Sequence, residues 1–383
     1  MPSELLELVL PDWGSLDTVR RSPVPFGLWT IGDQCLLHHW LDHAVNQGAS
    51  TVRVFAADRP AAVRRVLEES TLWPVKTEFT AIAATAAAPA GALHADWLPG
   101  EPSPPAPTSG WELLARAAAM EEVWLDRMAG EPDFPLVSIG FACRIHPEAE
   151  LIPPYFIGDE VFIGPGCEIG PYAVIGQGSV ISGANRIAHS QVAAHSFVGP
   201  VTALENCLLD RGILFNLKHR ARLDQLEPHL LATLEKSPSN VPLRDRLRAF
   251  YLFLRLGGAR ASARSRVTFD GRTLPGDPAA GLSNRAAWLP LVWQGKLPLY
   301  GVLPRTKEQF EALEPDWQQV LRHAPIGVFS YADCQGCHRP ADPAEAIHAV
   351  YQASLPPATL LAAMSRFTRN LKAADLTSTS PLP

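Results

Sequence analysis

Phe156-Ile157-Gly158-Asp159-Glu160-Val161-Phe162-Ile163-Gly164-Pro165-Gly166-Cys167-Glu168-Ile169-Gly170-Pro171-Tyr172-Ala173-Val174-Ile175-Gly176 is the stretch on which the fold turns. An aliphatic residue returns at every sixth position. The series runs on in both directions, through Ile139, Ile145 and Leu151 before it and Ile181 and Ile187 after it. The count then slips by one, and Val192, Val198 and Leu204 carry the same spacing onward. Gly follows the aliphatic at 140, 158, 164, 170, 176 and 199, and a small residue such as Cys143, Ala149, Cys167, Ala173, Ser179 or Ser196 recurs four places after it. A period of six suits neither an α-helix nor one long strand with a single wet face. It suits a parallel β-solenoid, in which each short strand supplies one inward aliphatic and turns at a Gly-containing corner. Such repeats cannot bury their apolar edge alone and must stack.

The ladder resembles the left-handed β-helix of the hexapeptide-repeat transferases. That resemblance implies three hexapeptides per triangular circuit, so Ile139, Ile157 and Ile175 should form one internal column. Ile145, Ile163 and Ile181 should form a second, and Leu151, Ile169 and Ile187 a third. Successive circuits should lie about 4.8 Å apart, the spacing of hydrogen-bonded strands. The expected fold is therefore mixed α/β plus an all-β solenoid: a reduced Rossmann-like N-terminal domain over residues 1–97, the left-handed β-helix over 135–217, and an α-rich C-terminal region.

A chain of 383 residues has room for two or three cores, and 47% hydrophobic with 19% charged residues excludes a disordered protein. The net charge of −6 argues against general nucleic-acid binding. Met1-Pro2-Ser3-Glu4-Leu5-Leu6-Glu7 has neither the basic nor the apolar part of an export signal, and no apolar run is long enough to span a bilayer. Dispersed cysteines fit a reducing compartment, so the expected location is cytoplasmic.

Upstream of the ladder, residues 5–97 alternate strand and helix. Leu5–Leu10 and Thr51–Ala56 read as buried strands, Gln34–Gln47 as an amphipathic helix ended by Gly48, and Pro60–Ser70 as a second helix. A ligand in such a βαβα sheet is expected at the carboxyl ends of the strands. The order resembles the first half of a sugar-1-phosphate nucleotidyltransferase through Gly14-Ser15-Leu16-Asp17-Thr18-Val19-Arg20-Arg21, Pro23-Val24-Pro25 and Gly32-Asp33-Gln34-Cys35-Leu36-Leu37. It implies phosphate contacts at Gly14, Arg20 and Arg21, and a Mg²⁺ ion on Asp96 in Gly91-Ala92-Leu93-His94-Ala95-Asp96. Val24 stands where that family has a phosphate-binding lysine.

Leu98–Gly110 is a Pro-rich linker, and Ser109 opens a connecting helix over 111–130. Within the ladder, His189 and His195 fall at the slip. Hexapeptide-family acyltransferases use a coil histidine as general base against an acyl thioester such as acetyl-CoA. The resemblance extends that role to His189 or His195, with Asn185 or Ser190 orienting the ring. It also implies a homotrimer.

Beyond the ladder, Pro228–Lys236 and Leu243–Leu256 read as helices within a capping segment over 218–280. The arginines from Arg244 to Arg266, interleaved with Phe250, Leu252, Phe253 and Leu254, suit either a solvated cap or peripheral contact with an anionic membrane. In the last region, 281–374, Trp288-Leu289-Pro290 through Gly301-Val302-Leu303-Pro304-Arg305, followed by Ala324-Pro325-Ile326-Gly327-Val328-Phe329, is similar to the bacterial polyprenyl-phosphate sugar-phosphate transferases. That resemblance gives Arg305 a substrate-binding role, while the family's Asp-Glu pair has no counterpart. Cys334-Gln335-Gly336-Cys337-His338 matches a haem-attachment motif, for which a turn is the favoured reading.

All three resemblances belong to activated-sugar and cell-envelope polysaccharide synthesis. They imply a transferase that moves an acyl or nucleotidyl group on an activated sugar, with a sugar nucleotide or acyl-CoA as partner. The rival is a non-catalytic scaffold or sugar-nucleotide-binding protein built from eroded transferase modules.

Overall fold

The computed structural model describes residues 5–12, 24–69, 72–83, 89–135, 138–224, 226, 230–234, 241–256, 265–268, 271, 273–276, 282, 285–340, 343–354 and 357–371. It is a mixed α/β chain with parallel sheets and ten helices among those residues.

The first part holds β1 (Leu5–Val9), a hairpin of β2 (Thr30–Ile31) and β3 (Gln34–Cys35), α1 (Leu36–Asn46), β4 (Thr51–Ala56), α2 (Pro60–Glu69), β5 (Lys76–Ala81), β6 (Leu93–His94) and α3 (Gly110–Ala129). Its sheet runs β5-β4-β1-β6, all parallel, so the strand order reverses between β1 and β6. The helix expected over 34–47 begins only at Leu36, because Gln34 and Cys35 pair back on Ile31 and Thr30. Gly32 makes that hairpin turn with φ +65°, and an added Cβ would lie 2.4 Å from the Trp124 ring. The Pro-rich stretch before α3 is not a free spacer. Leu98 is buried, and Arg116 and Arg127 of α3 hold the carbonyls of Pro104, Pro105 and Pro99. Ser109 caps α3 by accepting the Glu112 amide, as the sequence suggests.

Twelve short strands follow: β7 (Arg144–Ile145), β8 (Glu150–Leu151), β9 (Tyr155–Ile157), β10 (Phe162–Ile163), β11 (Glu168–Ile169), β12 (Ala173–Ile175), β13 (Val180–Ile181), β14 (Arg186–Ala188), β15 (Ser190–Val192), β16 (Ser196–Val198), β17 (Ala203–Glu205) and β18 (Cys207–Asp210). Each of β7 to β15 pairs in parallel with the strand three places on, so the chain circles through three sheets in rotation. The three columns form as expected. Ile139, Ile157, Ile175 and Val192 stack, as do Ile145, Ile163, Ile181 and Val198, and Leu151, Ile169, Ile187 and Leu204. Together they build one dry core, in which each fully buried aliphatic contributes about 1.5–3 kcal/mol.

The slip is a shortened corner. Residues 152–154 and 170–172 turn the chain into β9 and β12, whereas His189 alone turns it into β15 and Asn206 alone into β18. Both single-residue corners adopt positive φ, 46° and 54°. The strands on either side keep their register, so Ile175 still sits over Val192.

Two faces of the coil are covered by the chain itself. The β9/β12/β15/β18 face packs into the core of the N-terminal part through Val174 and Leu208, with Phe156 edge-to-face on Trp124. The β10/β13/β16 face packs on the C-terminal part through Val180 and Phe197. The third face displays Glu150, Glu168, Arg186 and Glu205, with Arg186 paired to Glu168 at 3.2 Å.

After β18 the direction reverses. β19 (Ile213–Asn216) and β20 (Ala221–Leu223) extend the first covered face antiparallel, and β21 (Leu231–Thr233) lies antiparallel on β16. The helix expected over 228–236 is thus a strand at its described centre. Phe197 and Val198 offer an open edge there that needs a hydrogen-bonding partner. The remaining elements are α4 (Leu243–Arg255), β22 (Ser265–Val267), β23 (Thr273–Pro275), α5 (Arg285–Trp293), α6 (Lys307–Glu311), α7 (Pro315–His323), α8 (Tyr331–Cys334), α9 (Pro343–Ser354) and α10 (Pro357–Asn370). The two stretches that carry the sugar-phosphate-transferase resemblance lie backbone to backbone, through bridges Tyr300 to Phe329 and Val302 to Ile326. Gly301 and Gly327 face each other, and a Cβ on either would fall 2.2 Å from the opposite main chain. No described helix is long and apolar enough to cross a membrane.

Candidate functional site

The residues singled out in the sequence fall in separate places. Gly14, Arg20 and Arg21 lie outside the described residues. Asp96 follows β6, at the reversal of strand order, but its carboxylate is buried against the guanidinium of Arg116. Arg305 is fully buried far along the chain and ion-paired with Glu345.

His189 and His195 occupy different corners of the coil. His189 stacks on Tyr172, with ring centroids 5.2 Å apart, and its Nδ1 sits 2.9 Å from Glu122 on α3. Asn185 orients neither ring. It is turned inward, where Nδ2 donates to the Ser182 carbonyl and Oδ1 accepts the Thr202 amide at 2.6 Å. Ser190 is likewise spent inside the coil, donating to the Ala188 carbonyl and accepting the Cys207 amide. A buried side-chain amide or hydroxyl must satisfy itself locally, and corners with positive φ leave carbonyls and amides that it can reach.

His195 is placed differently. Its main chain is pinned from below, where its N–H donates to Gln177, and from above, where its carbonyl accepts the Leu234 amide. The ring lies over Gly178, where an added Cβ would come within 2.4 Å of Nδ1. It borders a cavity of about 410 Å³ at which all three parts of the chain meet. Val24, Trp29 and Thr30 come from the first part, Gln191 and His195 from the coil, Asp210 and Arg211 from its last turn, and Thr233 from β21. Asp210 Oδ2 and Thr233 Oγ1 are shielded from solvent and have no hydrogen-bond partner among the described residues. Burial raises the Asp210 carboxyl above its usual range, against the pull of Arg211. A larger cavity of about 820 Å³, between the coil and α7 and α9, is mostly apolar, with Arg144, His146, Glu314 and Asp316 in its lining, and is bordered by neither His189 nor His195.

Asp210, Thr233 and Gln191 were not foreseen. Asp210-Arg211-Gly212 does mark the end of the ladder, and a charged pair at the last rung is the one signal that pointed there. Thr233 reaches the site through an antiparallel return that no periodicity announces.

The cavity floor is a buried polar chain. Trp29 Nε1 donates to Gln191 Oε1 at 2.9 Å, and Gln191 Nε2 donates to Thr30 O and to Glu121 Oε1, both at 2.6 Å. Glu121 Oε2 accepts the Gly32 amide at 2.9 Å. Burial pushes Glu121 up to about 8, against the Gly32 amide and with Asp33 adding to the rise. The folded chain therefore keeps a proton that the unfolded chain loses from near 4.5, so stability falls as pH climbs from there towards 8. The melting temperature is expected to drop between about pH 5 and about pH 8.5, and Glu121→Gln should flatten that slope. Equal slopes for the two proteins would place the titration elsewhere.

The haem-like motif lies in and just after α8. His338 Nδ1 is held 3.0 Å from Asp333, and burial pushes the Cys334 thiol up to about 12, opposite to a reactive thiolate. No group of three or more His, Cys, Asp or Glu poised for a metal occurs among the described residues.

A scan against protein-family models and a search of curated proteins each found no match to this chain.

Proposed function

We propose that the chain is a transferase-family protein acting on an activated sugar, with acyl transfer at the His195 cavity. In this reading the coil winds left-handed, as in the hexapeptide-repeat transferases, and the first part is a reduced Rossmann-like domain. One observation carries it: an imidazole, a buried carboxylate and an unbonded hydroxyl line one cavity where three parts of the chain converge. His195 takes the proton from an acceptor hydroxyl or amine as that atom bonds to the thioester carbonyl carbon. Asp210, in the cavity wall, stabilises the imidazolium. Collapse breaks the carbon–sulfur bond, and His195 returns its proton to the leaving thiolate. Arg211, exposed at the rim, suits the phosphates of CoA or of a sugar nucleotide. The homotrimer implied by the hexapeptide resemblance would have to use the third, charged face of the coil.

A second reading, a non-catalytic scaffold, is favoured by Asp96 and Arg305. Both residues that the resemblances assign to substrate are instead bonded within the chain, to Arg116 and Glu345.

Thermal shift with acetyl-CoA, UDP-sugars and dTDP-sugars separates the two, since a ligand raises the midpoint by mass action. His195→Ala is expected to lower acetyl transfer by about 10²–10⁴-fold while leaving the acetyl-CoA shift in place. Unchanged transfer would remove His195 as base. No shift with any of these ligands would sink the enzyme reading and leave the scaffold.

A further inference from the structure

Helix α4 buries one side and exposes an apolar side. Ala249, Leu252 and Leu256 pack inward with Leu289 and Val292 of α5. On the opposite side Leu243, Leu247, Tyr251 and Leu254 are 61–71% exposed, at the spacing of one helical stripe. Trp293, 59% exposed, continues the stripe through its contact with Phe250 at 5.2 Å. An exposed stripe of this composition is not expected on a surface that meets only water.

The charge beside it is basic. Arg244, Arg246, Arg248 and Arg255 lie on the helix with Asp245 as its single acid, in a chain whose net charge is −6. Arg248 and Arg255 are anchored to α10, donating to Ser365 and to the carbonyls of Thr368 and Leu371. Arg244, 3.8 Å from Asp245, keeps a side chain 71% exposed. Next to the stripe is a cavity of about 270 Å³ lined by Arg244, Arg248, Asp245, Tyr300 and Ser365.

We propose that this face docks on an anionic phospholipid bilayer, with the leucine stripe in the acyl boundary and a headgroup phosphate at the Arg244–Arg248 cavity. The shape favours lipid over protein: the stripe runs along the exposed side of α4 and on to Trp293 of α5, and a bilayer surface accepts it without a complementary groove. The charge favours anionic lipid, and Trp and Tyr within the stripe suit the interfacial layer. This inference stands apart from the His195 reading, because the two surfaces share no residue.

Co-sedimentation of the full chain with vesicles tests it. Binding is expected to vesicles of phosphatidylcholine with phosphatidylglycerol, to be weaker with phosphatidylcholine alone, and to fall as salt rises. Leu247→Glu and Leu254→Glu remove exposed side chains, so folding should persist, checked by an unchanged far-UV spectrum. Each is expected to weaken vesicle binding at least about tenfold, the factor a leucine's transfer free energy supports. Arg244→Ala should reduce the preference for anionic vesicles. The proposal fails if the wild-type chain ignores both vesicle types, or if the folded glutamate variants bind as well as wild type. It also fails if the stripe instead holds a vesicle-free dimer that Leu247→Glu dissociates.

Discussion

Arg305→Met is expected to cost about 3–5 kcal/mol, a large share of the 5–15 kcal/mol that holds a folded domain together. Arg305 and Glu345 have no solvent-exposed side-chain surface, and their ion pair lies in a cluster with Arg285, Asp333 and His338. Burial raises Glu345 to about 7 even with Arg305 pulling the other way, which shows how costly the isolated carboxylate is. Removing the guanidinium leaves Glu345 beside Asp333 with Arg285 as the one remaining guanidinium for both. The double change Arg305→Met with Glu345→Leu should recover most of the loss, because a buried pair is worth little beyond an apolar replacement of similar volume. Urea unfolding of the two variants checks this. A single variant as stable as wild type, or a double variant no better than the single, would show that the pair does not set the stability of this region.

Gly176→Ala is expected to damage the coil about as severely, by about 3 kcal/mol or more, for one methyl group. A Cβ at Gly176 would sit 2.3 Å from the Ala194 nitrogen and 2.7 Å from its Cα, in the next circuit. The obstacle is main chain, which cannot rotate aside, and Gly176 N–H already donates to Val192 O at 2.7 Å across the same gap. Gly166 offers the contrast within one coil. Its φ is +65°, but the nearest atom to an added Cβ is 3.9 Å away. Gly166→Ala should therefore cost only the left-handed backbone penalty, about 1–2 kcal/mol. If the two alanine variants unfolded at the same urea concentration, contact between circuits would not be the reason for the glycines that follow ladder aliphatics.

What was legible follows from where the forces are local. The columns could be read because each rung repeats the same inward position, so period six survives as a pattern in one sequence. The strand Thr51–Ala56 and the cap at Ser109 could be read for the same reason, since propensity and capping act within a few residues. The short corner at His189 was visible as a slip of one. Its consequence was not, because Asn185 and Ser190 face inward by virtue of corner geometry that the spacing does not encode. The Arg285–Asp333 and Arg305–Glu345 pairs join residues 48 and 40 apart in sequence, and nothing periodic links them. The His195 cavity is half legible on these terms. The histidine announces itself at the slip, whereas Thr233 and Val24 arrive from either side of the coil and are defined only by the assembled chain.

The way the first part packs has a consequence for synthesis. Its apolar core contains Leu8, Val54 and Trp124, but also Val174, Leu208 and Phe215, so it closes only on residues made much later. On the ribosome, β1, β4 and α3 must wait with an uncovered apolar flank until the fourth circuit and its antiparallel return have emerged. Domains usually finish in the order in which they are made. Here completion runs backwards: the last rungs of the coil license the first strands, and a nascent chain stopped before Leu208 leaves the flank of residues 5–129 exposed to aggregation.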